Sequence, residues 1–253
     1  MTSVDLNADI GESFGRYTLP GEDELLTLIT SANVACGFHA ADPQVMQRTV
    51  SAATGRGVTI GAHPSYPDRV GFGRRELSAS PAEIAADVTY QVGALDAFCR
   101  AAGTRVRYVK LHGALYHRAA RDRDVAKAVA FALRQLDSDL IVLCLEGSAL
   151  LQAAAETGLD VAREAFVDRA YQPDGQLVPR GMPGAVLEDV AAIAERALRM
   201  VQDKHVVAVD GTRCMVRADS LCVHGDGAKA VEIVRAVRQR FEAGGISLAP
   251  FVK

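Results

Sequence analysis

Residues 58–111 contain, in outline, the unit that decides the fold. Val58-Thr-Ile-Gly-Ala62 is a short, mostly apolar run that ends at His63-Pro64. After a loop, Ser80-Pro81-Ala82-Glu83 opens a helix. The Ser80 hydroxyl can accept from the first turn, Glu83 can reach back to the cap, and Pro81 gives up an N–H that would have no helical partner. Gly103 follows the far end, where a left-handed residue closes a helix, and Tyr108-Val-Lys-Leu111 is the next strand, ending at His112-Gly113. Two strands joined by a helix pair in parallel. The same alternation recurs along the chain. Further strands are predicted at Val4–Ala8, Asn33–Cys36, Leu140–Leu145, Glu164–Val167 and Leu221–Val223. Helices are predicted from Asp42-Pro43 to Gly55, between Ser148 and Gly158, and over Leu187–Gln202 and Ala228–Phe241. Several strands are continuously apolar, as strands covered on both faces should be. Val206–Val209, Asp210-Gly211 and Cys214–Val216 break the rhythm and read as a β-hairpin on a type I′ turn, an excursion before the last strand. Seven principal strands remain. They predict a distorted seven-stranded (β/α) barrel, with an eight-stranded barrel or an open doubly wound sheet as the alternatives.

Composition narrows the function classes. The 253 residues suit one α/β-barrel catalytic domain spanning 1–253. A net charge of −3 with both signs interspersed lacks the basic footprint of a nucleic-acid binder. No apolar run approaches the ~20 residues of a membrane span. The opening Met-Thr-Ser-Val-Asp-Leu-Asn has neither the basic nor the apolar region of an export signal, so a cytoplasmic location is expected. The five cysteines are scattered and form no CxxC, which fits reduced, buried thiols.

Nearly every strand runs straight into residues of catalytic type. The first gives Asp5, Asn7, Asp9 and then Glu12; the second gives His39 and Asp42; the third ends at His63 and the fourth at Lys110 and His112. The sixth gives Glu164, Asp168 and Arg169, and the last gives His224 and Asp226. Four of the six histidines therefore fall at strand C-termini, the rim where a barrel gathers its active site. His117 and His205 fall outside this pattern and are read as structural. Gly37, Gly61, Gly113 and Gly225 stand beside the rim histidines, where a ligand can approach the backbone closely or a turn can simply require glycine. Asp5, Asn7 and Asp9 alternate, so they share the inward face of one strand, and such groups are costly to bury unless they bind one another, water or a ligand. Asp5 suits a structural network at the barrel bottom. Lys110 is two residues from His112 and also faces inward. It can stabilise an anion, or pair with Glu164 or Asp9. Residues 63–75 read as an ordered loop over the site. Arg75, with Arg169 and Arg180, can clamp a carboxylate or phosphate. Histidines with acids at strand ends also suit a divalent metal, with Asp9, His39 and His63 as candidate ligands. No nucleotide-binding glycine motif is present.

With these residues in view, the chain resembles the LamB/YcsF family, the A-type component of the ATP-dependent 5-oxoprolinase. The matching stretches are Asp5-Leu-Asn-Ala-Asp-Ile-Gly-Glu12, Ser31 to His39, Gly61-Ala-His-Pro-Ser-Tyr-Pro-Asp68 with Gly71-Phe-Gly-Arg-Arg75, Val109-Lys-Leu-His-Gly-Ala-Leu-Tyr116, Asp168-Arg169 with Tyr171, and Cys222-Val-His-Gly-Asp226. Ala41, Leu111, His117 and Val167 stand where Gly, Pro, Asn and Ala are expected. The resemblance implies a barrel akin to the glycoside hydrolase/deacetylase superfamily. It also implies opening of 5-oxo-L-proline to L-glutamate with ATP as cosubstrate, in a complex with two other subunits (B and C types) that phosphorylate the lactam. On this reading Asp9, His39, His63, Lys110, His112 and His224 form the catalytic set. Asn7, Glu12, Asp42, Arg75, Glu164, Arg169 and Asp226 are expected to bind substrate. A stand-alone metal-dependent amide hydrolase or deacetylase, and a non-catalytic substrate-binding subunit, are the alternatives.

Overall fold

The computed structural model describes residues 2–225, 227 and 229–252. Asp226 of the expected substrate-binding set lies outside the described residues, as does Ala228 at the expected start of the last helix. The elements alternate as expected: β1 (Ser3–Ile10), α1 (Glu22–Leu25), β2 (Ser31–Ala35), α2 (Pro43–Gly55), β3 (Thr59–His63), α3 (Pro81–Ala101) and β4 (Tyr108–Val109) come first. They are followed by α4 (Gly113–Arg121), α5 (Arg123–Leu136), β5 (Ile141–Leu145), α6 (Ala149–Glu156), β6 (Asp160–Phe166) and α7 (Val190–Gln202). The chain closes with β7 (His205–Val207), β8 (Arg213–Met215), β9 (Ser220–Val223), α8 (Ala230–Ala243) and β10 (Ser247–Leu248).

Strands β1 to β6 pair in chain order, all parallel, and β9 lies between β6 and β1. The ladder Asp5↔Ser220 to Ala8↔Val223 therefore closes a seven-stranded parallel barrel. Strand β10 adds a short pairing beside the beginning of β1, Ser3↔Ser247 and Val4↔Leu248. The β7–β8 hairpin stands outside the barrel as expected. Its turn differs from the expected type I′: Gly211 has positive φ but Asp210 does not. The Gly211 amide closes on the Ala208 carbonyl, and the Asp210 carboxylate accepts from the Thr212 amide. An aspartate that bonds its own backbone two residues on needs only one left-handed partner.

Helix ends follow the sequence chemistry. Ser80 and Glu83 form the reciprocal capping box of α3. Asp42 caps α2 through the amides of Gln44 and Val45, and Ser148 caps α6. The pair α4 and α5 has no counterpart in the expected elements. Asp122 separates them by accepting from the amides of Asp124 and Val125 as the N-cap of α5.

The barrel interior is polar, unlike the branched apolar layers usual in such barrels. Asp5 accepts from the hydroxyls of Thr30, Ser31 and Ser220. One layer higher, Asn7 bonds Ser220 and Asn33, and the Tyr108 hydroxyl donates to Asn33. These partners come from β2, β4 and β9, which fixes the odd-numbered face of β1 as the inside. Leu6, Ala8 and Ile10 on the other face join the main apolar core. Gly61 makes room for this lattice, because a Cβ there would lie 2.2 Å from the Tyr108 ring. Gly225 is likewise pressed against the Asp9 carbonyl, 2.1 Å from where a Cβ would sit. At both positions the close approach is by the protein itself.

Burial raises the Asp5 carboxyl to about 6, and its hydroxyl bonds from Ser220, Ser31 and Thr30 offset that only in part. A pKa above the ordinary 3.8 favours the protonated form in the fold. That contribution is complete below about pH 4 and is lost as pH rises through 6. Asp5→Asn removes it, so the variant should gain about 2–3 kcal/mol on the native chain between pH 4 and 7.5. Urea unfolding across that range measures this, and a native chain that gains on the variant as pH rises would contradict it.

Candidate active site

A cavity of about 700 Å³ opens at the C-terminal rim of the barrel. Asp9, His63, Lys110, His112, Arg169 and His224 of the expected set line it, with Phe166. Around its mouth stand Arg74, His117, Arg121 and Arg180. His117 is thus at the cavity, although its place in the sequence pattern suggests a structural role. It lies on α4, five residues after His112, so no strand end marks it.

The floor is an ionic cluster. Lys110 Nζ lies 2.7 Å from Glu164 Oε1 and 3.2 Å from Asp9 Oδ1, and also donates to Asn7 Oδ1 and Cys222 Sγ. Burial alone would lower the Lys110 pKa, but Asp9, Cys222 and Glu164 hold it well above its usual range. Burial would raise Asp9, yet His63 and Lys110 hold it well below the usual carboxylate range. Lys110 is therefore a fixed cation and Asp9 a fixed anion. Asn7 and Glu164 belong to the support of this cluster and do not line the cavity.

One wall is made of two imidazoles, His63 and His112, backed by a third, His39. His39 and His112 stack with ring centroids 3.8 Å apart, and His63 stands edge-on to both. Burial, reinforced by the neighbouring imidazoles, pushes His39 and His112 well below the usual histidine range, so both are neutral. His63 Nδ1 meets the Lys110 carbonyl at 2.7 Å, and His112 Nε2 meets the Phe72 carbonyl at 2.9 Å. A carbonyl oxygen only accepts, which assigns the N–H of each ring to that side. His39 Nε2 is 3.0 Å from Glu12 Oε1. His39 and Glu12 sit behind the wall, outside the cavity lining. Asp9, Glu12, His63 and His112 together present four ligand atoms within 4.8 Å of one another, a buried group that can hold a metal ion.

Facing this wall is a histidine–carboxylate pair. His224 Nδ1 lies 2.9 and 3.0 Å from the two oxygens of Asp168, which also accepts the His224 amide. The His224 ring stacks on Phe166. Burial would raise Asp168, but the charge and hydrogen bonds of His224 bring it below its ordinary value. Asp168 is present at a strand end in the sequence, but its pairing needs β6 and β9 to be neighbours.

Two expected substrate-binding residues stand apart. Asp42 is spent on capping α2 and on the Gly15 amide. Arg75 pairs with Asp68, which also accepts from the Gly71 amide and so orders the loop over the site. That loop is docked on α4: the Ala114 amide donates to the Gly73 carbonyl, and Gly113 leaves no space for a Cβ against it. Arg169 braces the opposite loop by donating to the carbonyls of Ala185 and Val178.

The sequence matches the LamB/YcsF family over residues 4–253. This chain belongs to the LamB/YcsF family. Family relatives include a protein from Pseudomonas syringae named as a 5-oxoprolinase A-type subunit, 51% identical over 99% of this chain and 98% of its own length. Another of that name, from Streptomyces avermitilis, is 54% identical over 98% of this chain and 99% of its own. The crystal structure of a lactam utilization protein from Thermus thermophilus superposes with a TM-score of 0.93 at 47% identity, covering 98% of this chain and 99% of the other. The T48 deacetylase shares the fold alone, with a TM-score of 0.51 at 13% identity over 98% of this chain and 87% of the other. Ala41, where the family resemblance leads to an expected glycine, adopts φ 66° and is fully buried. No described helix is long and apolar enough to cross a membrane.

Removing the central cation tests the floor. Lys110→Met leaves Asp9 and Glu164 buried with no lysine between them, at an expected cost of about 3–5 kcal/mol. Adding Glu164→Gln should recover part of that loss in urea unfolding. A single change costing under about 1 kcal/mol would show that the lysine does not hold the cluster together.

Proposed function

We propose that this chain opens the ring of 5-oxo-L-proline to L-glutamate within an ATP-dependent 5-oxoprolinase. In this reading, two partner subunits of the B and C types use ATP to phosphorylate the lactam oxygen, and this chain acts on the activated ring. The observation that carries the reading is the His224–Asp168 pair facing Asp9, His63 and Lys110 across one cavity. Full-length relatives named as A-type subunits of 5-oxoprolinase supply the substrate class.

Resonance makes the amide bond resistant to water. Phosphorylation of its oxygen makes the ring carbon more electrophilic. With Nδ1–H held by Asp168, His224 has its Nε2 lone pair available. It takes a proton from water as the water attacks the ring carbon, and delivers a proton to the ring nitrogen as the C–N bond breaks, which leaves γ-glutamyl phosphate; attack of a second water on that acyl phosphate then releases inorganic phosphate and L-glutamate. Asp9, held anionic by His63 and Lys110, orients the first water. Lys110 supplies a fixed positive field for the negative charge that builds on the attacking water's oxygen. His112 spends its one N–H on the Phe72 carbonyl, so it supports the wall and does not donate to the oxyanion. His39 supports it from behind by stacking. The anionic end of the substrate is placed at the cationic mouth. There Arg180 makes no hydrogen bond or ion pair among the described residues. Arg74, Arg121 and Arg180 line the cavity beside His117, whose pKa is lowered by desolvation and then by the charge of Arg169, so the mouth suits an anion.

Glutamate release from 5-oxoproline and ATP by this chain alone, by its two partners, and by all three tests the function. Activity is expected only in the full mixture. A folded, associated mixture that releases no glutamate would remove 5-oxoproline as the substrate. In the assembled complex, His224→Asn should lower kcat about 10²–10⁴-fold. Arg180→Ala should instead raise KM about tenfold with kcat nearly unchanged, as loss of uniform binding does. Undiminished turnover in His224→Asn would refute its role in proton transfer.

A further inference from the structure

The imidazole wall holds an arrangement that proton transfer by His224 does not require. His63 and His112 each spend their N–H on a backbone carbonyl, of Lys110 and Phe72 respectively. The nitrogens left over, His63 Nε2 and His112 Nδ1, face each other at 2.9 Å. With the opposite nitrogen of each ring committed to a carbonyl, these two nitrogens converge on one point, as the donor atoms of a metal site do. Two carboxylates meet the same point. Asp9 Oδ1 is 3.3 Å from His63 Nε2, and Glu12 Oε1 is 3.5 Å from His112 Nδ1.

We infer that Asp9, Glu12, His63 and His112 bind one divalent transition-metal ion through two imidazole nitrogens and two carboxylate oxygens. Bonds of about 2.0–2.2 Å set tetrahedral ligand atoms roughly 3.3–3.6 Å apart. The 2.9, 3.3 and 3.5 Å separations lie in or near that range, and the remaining ligand atoms are within 4.8 Å of one another, so an ion would draw the set together. A mixed nitrogen and oxygen set favours zinc or a neighbouring first-row ion over magnesium or calcium. The surroundings are those of a built metal shell. Backbone carbonyls fix both ligand tautomers, and His39 Nε2–H is directed at Glu12, the outer contacts that orient metal ligands. His39, expected from the sequence as a ligand, is thereby an outer contact, and Glu12 and His112 take its place in the set. Asp9, His63 and His112 line the cavity, so a bound ion would face the substrate. A divalent ion there would supply Lewis acidity to a water or a substrate oxygen.

The inference holds whichever amide is the substrate, and its test needs no turnover. The purified full chain is stripped with a chelator, checked for native circular dichroism, and titrated with Zn²⁺ by calorimetry and with Co²⁺ by visible absorption. One equivalent is expected to bind, with the Co²⁺ spectrum reporting a low-symmetry site. His112→Ala, His63→Ala and Glu12→Gln should each weaken binding at least tenfold, and His39→Phe about 10–100-fold through lost orientation. A folded, stripped native chain that takes up neither ion overturns the inference and leaves a shared proton between the two rings. Binding that is unchanged in all the ligand variants overturns it equally, because the ion then sits elsewhere. Loss of glutamate release with intact metal binding would instead count against the 5-oxoproline reading alone.

Discussion

The structure depends on the placement of one lysine. Lys110 enters the barrel from the end of β4 and meets Asp9 from β1, Glu164 from β6 and Cys222 from β9. A buried charge is stable only when paired, and pairing in low dielectric demands close geometry. Four strands are therefore held in register by one ammonium group. The polar layers beneath it, built on Asn7 with Asn33 and on Asp5 with three hydroxyls, carry the same requirement down to the barrel bottom. Gly61 and Gly225 are the steric counterpart, since the lattice closes only where a Cβ is absent.

This floor separates two histidine systems of different character. On one side, His39, His63 and His112 are packed ring against ring, and the loop carrying Phe72 and Gly73 locks them from above. On the other, His224 has a single carboxylate partner and a free edge towards the cavity. The first system is packed into a fixed geometry, and the second leaves an imidazole edge at the cavity.

Much of this is legible without the fold. The βα alternation, the caps at Ser80, Asp42 and Ser148, and the excursion at 206–216 follow from local chemistry, and each appears in the structure. The rim residues are visible as polar groups at strand ends. Their partners are not. Asp42 and Arg75 have the residue types of a binding site, yet local bonds to the α2 amides and to Asp68 consume them. His117 looks ordinary because helix α4, which carries it to the cavity, has no clear capping signal ahead of it: the His112 side chain makes no cap bond. Asp210-Gly211 suggests a type I′ turn, but the Asp210 carboxylate satisfies the loop in its own way.

The sequence by itself determined the βα alternation that predicts a parallel barrel, the family resemblance and the polar residues at the strand ends. These follow from periodicity, caps and motifs that act within a few residues of one another. Only the tertiary structure decided which rim residues touch. Asp168 finds His224 only because β9 lies beside β6, and Glu12 finds His39 and His63 turns its bare nitrogen to His112 only because parallel pairing aligns the strand ends that carry them. Tautomers, ion pairs and shifted ionisations depend on distances of about 3 Å across the barrel. One chain read in order contains the groups but not those distances.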